Sequence, residues 1–261
     1  GWIWVNDLLA TMRMPLFFTL AGLFAAKWAS APLAQLWNAK LRLFVWVFLL
    51  WELLGLAPYL LGQAVHGVEI NLRRELFDTA ISPLVPRFEL WFIWALALFF
   101  LLNRALRAVP AVFSLSAAAV LSIVAFMDVL PLPSPSWTGV CKYYVFFLIG
   151  MFGKRMLFTY AARSGWMLRS VVVASWLAFA LAVTVFDLAR LPGVYPALAC
   201  VGVLAGVALS QVLQRSAAIV RLGSRTLPVY LAHTPIVILL TAAIALVAHT
   251  EVVRAAAPVV P

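Results

Sequence analysis

The sequence predicts an all-α fold, a polytopic bundle of transmembrane helices, from three observations. Of its 261 residues, 66% are hydrophobic and only 11% are charged, and the mean hydropathy is +1.05. Soluble domains are closer to half apolar and a quarter charged. Apolar runs approaching or exceeding the roughly 20 residues that cross a bilayer recur along the whole chain between charged or proline- and glycine-rich breaks.

Eight such runs are predicted as membrane spans, and together they account for a single membrane domain over residues 1–261. A proline-rich turn at 131–136 cannot stay helical and separates the fourth run from the fifth. The runs are Pro15–Ala31, Leu41–Leu61, Phe88–Leu106, Val109–Leu130, Trp137–Phe152, Met167–Leu188, Gly193–Leu213 and Thr226–Ala248.

The net charge of +10 predicts the orientation of these runs. In a soluble protein it would suggest a nucleic-acid partner, which we do not expect here, because basic residues in membrane proteins hold loops in the cytoplasm. Of the 19 Lys and Arg, 12 fall in one set of alternate loops and six in the other, with Lys142 inside a run. The loops 27–42, 104–107, 154–169 and 215–225 are therefore predicted to be cytoplasmic. The first run then enters from outside, so we expect a further helix upstream and a chain truncated at both ends.

The two cysteines, Cys141 and Cys200, lie inside apolar runs, so neither a disulfide framework nor a cysteine metal site is indicated. Histidines and carboxylates are not clustered with metal-ligand spacing, and no metal site is expected. The sequence also has no glycine-rich phosphate loop and no Gly-x-Ser-x-Gly motif.

Ionisable side chains at membrane depth are the first candidates for function, because each is costly to bury there. Glu52 falls near the middle of the second run, where it holds a proton, pairs with a cation of a neighbouring helix, or makes a structural hydrogen bond across the bundle. Lys142 either lines a polar cavity or extends its stem to the interface. His233 lies beside Pro235 with Tyr230 on the same helical face, so it either lines a buried site or bonds a carbonyl that the proline leaves open.

Two candidates lie at run entrances. Arg13 precedes Pro15 at the predicted outer end of the first run, where it either binds an anionic group or reaches the interface. Glu89 opens the third run shortly before Trp91, as a site residue or as an acid favoured by the helix dipole.

Four segments, in this order, resemble the integral-membrane acyltransferase 3 family. Ala21 stands where the family usually has serine, and Arg225-Thr226 replaces a commoner Asn-Ser or Tyr-Ser, which affects a local hydrogen bond but not the resemblance. The segments are Arg13–Phe24 (RMPLFFTLAGLF), Glu89–Ile93 (ELWFI), Phe146–Gly150 (FFLIG) and Gly223–Ile236 (GSRTLPVYLAHTPI).

The resemblance implies an enzyme with about ten transmembrane helices in the intact protein, about eight of them in this chain. Such enzymes move an acyl group, commonly acetyl, from cytoplasmic acyl-CoA to a hydroxyl of an extracytoplasmic glycan, lipid or similar acceptor. The family's catalytic histidine, on its first helix, is expected upstream of Gly1, so no catalytic residue is assigned in this chain. The expected pocket residues are Arg13, Glu89, Trp91, Tyr230, His233, Glu52 and Lys142.

The same resemblance implies the partners and the location. Acyl-CoA is expected as donor substrate, with no bound cofactor, and the inner-face cations either meet its phosphates or only set topology and contact anionic lipid. The implied location is a bacterial plasma membrane, which the chain crosses many times. A small-molecule transporter or flippase, or a catalytically silent protein of the same fold, is the alternative function. The cations in question are Lys40, Arg42, Arg104, Arg107, Lys154 and Arg155.

Overall fold

The computed structural model describes residues 2–65, 68–86, 90–223 and 226–247, and helices are the only regular secondary structure in those ranges. The chain forms two compact units: unit 1 comprises 1–42 and 95–220, and unit 2 comprises 43–94 and 221–261. The helices are α1 (Trp2–Leu23), α2 (Ala26–Ser30), α3 (Leu33–Leu36), which continues through a π-helical turn (Trp37–Leu41) into α4 (Arg42–Val65), α5 (Leu72–Ile81), α6 (Trp91–Ala105), α7 (Ala111–Phe126), α8 (Pro135–Phe152), α9 (Lys154–Arg163), α10 (Trp166–Val185), α11 (Val194–Leu213), α12 (Ala217–Gly223) and α13 (Thr226–Val247).

The predicted all-helical, polytopic membrane architecture is confirmed, and each predicted run overlaps one of these helices. Among the described residues, four helices are long and apolar enough to cross a bilayer, and α8 with α9 makes a fifth if this pair, bent by 71°, counts as one span. Helices α6 and α7 are apolar but shorter. The count of eight crossings therefore stays a prediction.

The predicted limits of the first run, Pro15–Ala31, are wrong. Helix α1 begins at Trp2, passes through Pro15 and ends at Leu23, before the separate short helix α2. The polar residues Asp7 and Arg13 interrupt the apolar pattern but not the helix. A proline inside a membrane helix is tolerated when neighbouring groups satisfy or cover the backbone that it exposes.

Unit 1 is built around a close crossing of α1 and α8. A Cβ added to Gly150 of α8 would lie 1.9 Å from the carbonyl oxygen of Thr19, and one added to Gly22 of α1 would lie 2.0 Å from that of Phe147. Two helix backbones therefore touch where both sequences carry glycine, as small residues allow in membrane helices. Phe18, which is fully buried, packs beside this crossing.

Helix α1 also packs on α11 and α10. Gly202 lies against the backbone of Thr11 and Met12, and Gly206 lies against the side chain of Leu16. Trp176 of α10 is buried and donates its indole N–H to the Thr11 hydroxyl at 3.1 Å. That hydroxyl in turn donates to the Leu8 carbonyl at 2.7 Å, so the three groups form one buried polar chain.

A Trp176→Phe substitution is expected to lower the stability of unit 1 by about 0.5–1.5 kcal/mol, because it removes the indole N–H but keeps an aromatic ring in place. The thermal midpoint of the detergent-solubilised protein measures this loss. Trp166→Phe on the same helix is the matched control, because Trp166 is 81% exposed and its change should leave the midpoint where it was. Equal midpoints for Trp176→Phe and the parent would contradict the role of this hydrogen bond.

The helix ends that carry the predicted cytoplasmic cations meet at one end of unit 1. The Lys154 ammonium lies over the ring of Phe24, 5.7 Å from its centroid, just beyond the end of α1. The guanidinium of Arg104, in the last turn of α6, donates to the carbonyl of Ala31. Helix α9 also contacts α11. The cytoplasmic placement of these loops stays a prediction.

Unit 2 contains α4, α5 and α13. Helix α5 lies in the loop between the second and third predicted runs. Its N-cap, Asn71, accepts a hydrogen bond from the Arg74 backbone at 3.1 Å, and Arg74 lies 3.9 Å from Asp78. The loop is thus partly helical and carries a local ion pair.

Candidate active site

The candidate site in unit 2 lies around a backbone carbonyl of α13 that a proline leaves without its helical hydrogen bond. Pro235 has no N–H, so the carbonyl of Leu231, four residues earlier, loses its normal helical partner. Trp51 of α4 donates its indole N–H to this carbonyl at 2.7 Å. One hydrogen bond therefore satisfies the carbonyl and ties the two helices together.

A small cavity of ≈ 30 Å³ adjoins this hydrogen bond. That volume holds one or two water molecules or a small group of a substrate. Gly55 leaves part of the space open, since a Cβ there would meet nothing within 4 Å. The residues around the cavity are Trp51, Gly55, Leu90, Tyr230, Leu231, Thr234, Pro235 and Ile238.

His233 lies on α13 but is exposed and does not line this cavity, and its imidazole is held by its own helix. Nδ1 hydrogen-bonds the carbonyl of Tyr230, the Tyr230 and His233 rings lie 5.7 Å apart, and Nε2 lies 3.3 Å from the Thr234 hydroxyl. Because a carbonyl oxygen can only accept, Nδ1 carries a proton in this arrangement. In the neutral imidazole, Nε2 then offers its lone pair to a hydroxyl donor.

This geometry corrects one alternative for His233. The imidazole bonds a backbone carbonyl, but that of Tyr230, whereas the Leu231 carbonyl opened by Pro235 is bonded by Trp51. The alternative was therefore right about the type of bond and wrong about its partner. The sequence did not single out Trp51. The signal available was an indole donor next to Glu52 and one turn before Gly55 in an apolar run.

Glu52, Trp91 and Tyr230 belong to the same unit as His233. Glu52 lies near the middle of α4 and is only 3% exposed. Trp91 is the first residue of α6 and is half-buried, and its neighbour Phe92 packs edge-on against Tyr230 at 5.7 Å. The structure thus links Tyr230 with His233, and the roles of Glu52 and Trp91 in a pocket stay predictions.

Arg13 lies in unit 1, and its predicted position at the outer end of a span is wrong. It lies in the middle of α1, is exposed, and donates to the Asn6 side chain at 3.3 Å. The reason is that α1 begins eleven residues before Arg13, at Trp2. Arg13 also interacts electrostatically with Tyr143 of α8.

Lys142 lies in unit 1 on α8. Its ammonium is 5.1 Å from the centroid of the Phe126 ring, within cation–π range, and it interacts electrostatically with Asp128. Tyr195 stacks on Phe126, with the two ring centroids 4.2 Å apart. Tyr143 meets Phe126 edge-on at 5.8 Å.

A second polar and aromatic group in unit 1 therefore contains Arg13, Lys142, Tyr143 and Tyr195. The sequence predicted the two cations as site residues but not the two tyrosines. The sequence indicates these tyrosines as site residues only weakly: Tyr143 directly follows Lys142, and Tyr195 lies near the start of an apolar run. Glu89 lies outside the described residues, as do Ser224 and Arg225 of the last motif.

A family model described as an acyltransferase domain matches residues 1–260. The chain belongs to the acyltransferase 3 family. Membership confirms the resemblance seen in the four segments, and it makes the protein a membrane enzyme that transfers acyl groups other than aminoacyl groups. No curated protein and no solved structure matches the chain. The single-domain organisation and the pocket residues stay predictions.

A Trp51→Phe substitution in this acyltransferase is expected to lower its stability by about 1–3 kcal/mol, because the proline-freed carbonyl of Leu231 loses its donor. Thermal unfolding in detergent measures the loss. Pro235→Ala supplies the missing backbone N–H, so Trp51→Phe should cost less in that background. Equal losses in both backgrounds would show that the carbonyl is satisfied in another way.

Proposed function

We propose that this acyltransferase moves an acyl group, acetyl in the first instance, from cytoplasmic acyl-CoA to a hydroxyl of an extracytoplasmic glycan or lipid in a bacterial plasma membrane. The observation that carries the proposal is the His233 imidazole, whose Nδ1 is held by the Tyr230 carbonyl and whose Nε2 faces a hydroxyl. An Nε2 lone pair oriented in this way suits an acceptor hydroxyl as well as that of Thr234.

The reaction exchanges one bond for another. The acceptor oxygen attacks the thioester carbonyl carbon, a C–O bond forms, the C–S bond breaks, and the hydroxyl proton ends on the departing CoA sulfur. His233 accepts a hydrogen bond from the attacking hydroxyl and orients it.

The donor side of the proposal is supported by the cations at one end of unit 1. Arg104 lies in the last turn of α6 and Arg107 just beyond it. Lys40 lies in the π-helical turn before α4, and Arg42 is the first residue of α4. All four are on predicted cytoplasmic segments. Phosphates of CoA are anions that guanidinium groups bind in bidentate fashion. These four cations are the proposed contacts for the nucleotide part of the donor.

The test uses the full-length protein in sealed vesicles with acetyl-CoA labelled in its acetyl group outside or inside and candidate glycan or lipid acceptors on the other side. Ester-linked label on an acceptor, with release of free CoA thiol, is the expected result. Movement of an unmodified small molecule without label transfer would instead assign transport. Neither label transfer nor transport, with the protein folded and all acceptor classes present, would overturn the proposal in favour of a silent member of the family.

A further inference from the structure

Helix α9 follows α8 directly and points in a different direction. It is bent by 71° from α8, so when α8 crosses a membrane α9 lies closer to the membrane plane. Its sequence, KRMLFTYAAR, is amphipathic, with Leu157 buried and both Met156 and Phe158 exposed. A short basic helix of this kind is typical of segments that lie in the membrane interface.

An open cleft of ≈ 680 Å³ lies between α9 and the start of α10, and we refer to it as the α9 cleft. Met156 and Leu168 contribute apolar surface to it. Its polar lining consists of Arg155, Thr159, Tyr160, Arg163 and Ser164.

The α9 cleft is strongly electropositive. The sequence contains no acidic residue between 129 and 186, and within the described ranges neither Arg155 nor Arg163 forms an ion pair. Arg169 closes one side by donating to the Ser164 hydroxyl at 3.0 Å and to the Ala161 carbonyl at 3.3 Å. Two guanidinium groups therefore face a space in which no described carboxylate competes for them.

The Tyr160 hydroxyl adds a hydrogen-bond donor to the cleft. It is buried, and no hydrogen-bond partner for it lies among the described residues. A buried hydroxyl without a partner is costly, so such a group favours a ligand that supplies an acceptor. A phosphate oxygen is such an acceptor, and it also suits the two arginines.

Exposed apolar side chains on α9 and at the start of α10 favour a phosphate that carries acyl chains over a soluble phosphate. Trp166 is 81% exposed and Met167 is 69% exposed at the start of α10, and Phe158 is 51% exposed on α9. A soluble phosphate has no apolar group that could bury this surface, whereas the acyl chains of a lipid would cover it.

We propose that the α9 cleft binds the headgroup phosphate of an anionic phospholipid. Arg155 and Arg163 contact the phosphate oxygens, Tyr160 donates its hydroxyl hydrogen to one of them, and the acyl chains lie along Phe158, Trp166 and Met167. The bound lipid holds α9 against the membrane surface. This site is separate from the His233 region of unit 2, and it does not depend on the proposed acyl donor or acceptor.

The test measures binding of fluorescent phosphatidylglycerol to the full chain in a neutral detergent. Unlabelled phosphatidylglycerol, phosphatidylcholine and CoA serve as competitors. We expect phosphatidylglycerol to compete and the other two to compete at least about tenfold more weakly. Equal competition by phosphatidylcholine would overturn the proposal, and equal competition by CoA would assign the cleft to nucleotide phosphates instead.

Variants locate the binding. Arg155→Ala combined with Arg163→Ala should weaken phosphatidylglycerol binding about tenfold or more, and Tyr160→Phe alone should weaken it several-fold with the fold intact. The matched control combines Arg73→Ala with Arg190→Ala, which removes the same charge elsewhere and should leave binding unchanged. If the Arg155/Arg163 variant is unstable, Tyr160→Phe decides the question. Unchanged binding in Tyr160→Phe, or an equal loss in the control, would overturn the proposed site.

Discussion

A His233→Ala variant is expected to transfer acyl groups about 10- to 100-fold more slowly than the parent, which corresponds to the loss of about 1.4–2.7 kcal/mol of hydrogen bonding to the reacting hydroxyl. The loss should fall mainly on kcat, because the acceptor still binds but its hydroxyl is no longer oriented. The rate of label transfer from acetyl-CoA to the acceptor, measured in vesicles with the full-length protein, gives the value.

Two further variants define what the His233 result means. His233→Gln should recover part of the rate, because its side-chain oxygen also accepts a hydrogen bond. Thr241 lies two turns further along α13, where its hydroxyl donates to the carbonyls of Val237 and Ile238, so Thr241→Ala should leave the rate unchanged. A normal rate in His233→Ala, or an equal loss in Thr241→Ala, would remove His233 from the site.

A Gly150→Ala variant is expected to lose about 1–3 kcal/mol of stability or to fail to fold, because its Cβ would lie 1.9 Å from the Thr19 carbonyl oxygen. Gly22→Ala should behave in the same way, since its Cβ would lie 2.0 Å from the Phe147 carbonyl oxygen. The obstructing atoms are backbone atoms of well-packed helices, so they cannot move aside as the end of a side chain can. Thermal unfolding of the detergent-solubilised protein and its yield from membranes measure both losses.

Gly55→Ala is the matched control for this crossing. Gly55 also lies inside a membrane helix, but a Cβ there meets nothing within 4 Å, so alanine should be neutral or slightly stabilising through its better helix propensity. If Gly150→Ala unfolds at the same temperature as Gly55→Ala, then α1 and α8 do not cross as closely as the structure has them.

The helices were predictable wherever the chain is uniformly apolar. The ends of α10 and α11 lie within a few residues of the predicted runs, because apolar length alone sets a membrane span. The prediction failed at α1, where Asp7 and Arg13 broke the apolar pattern and Pro15 suggested a start. Backbone hydrogen bonding continues through such interruptions, and a hydropathy pattern does not record it.

The candidate site was predictable in part. The spacing of Tyr230 and His233 placed both on one helical face, and their rings do meet, because residues three apart on a helix are always neighbours. The Trp51 partner of the Leu231 carbonyl was not predictable, because it joins residues 180 positions apart. Nothing in a local pattern indicates which distant donor approaches a carbonyl that a proline leaves open.

Composition, hydropathy and four short motifs were sufficient to determine the class of this protein, a multi-pass membrane acyltransferase, because each depends on residue type and local order alone. Only the tertiary structure decided that glycines bring α1 and α8 into backbone contact and that Trp51 donates to the Leu231 carbonyl of α13. It also decided that Arg155, Arg163 and Tyr160 face one cleft. These features depend on how helices cross and rotate against one another. Helix crossing is set by the packing of side chains that are remote in the sequence, so it becomes visible only when the chain is folded.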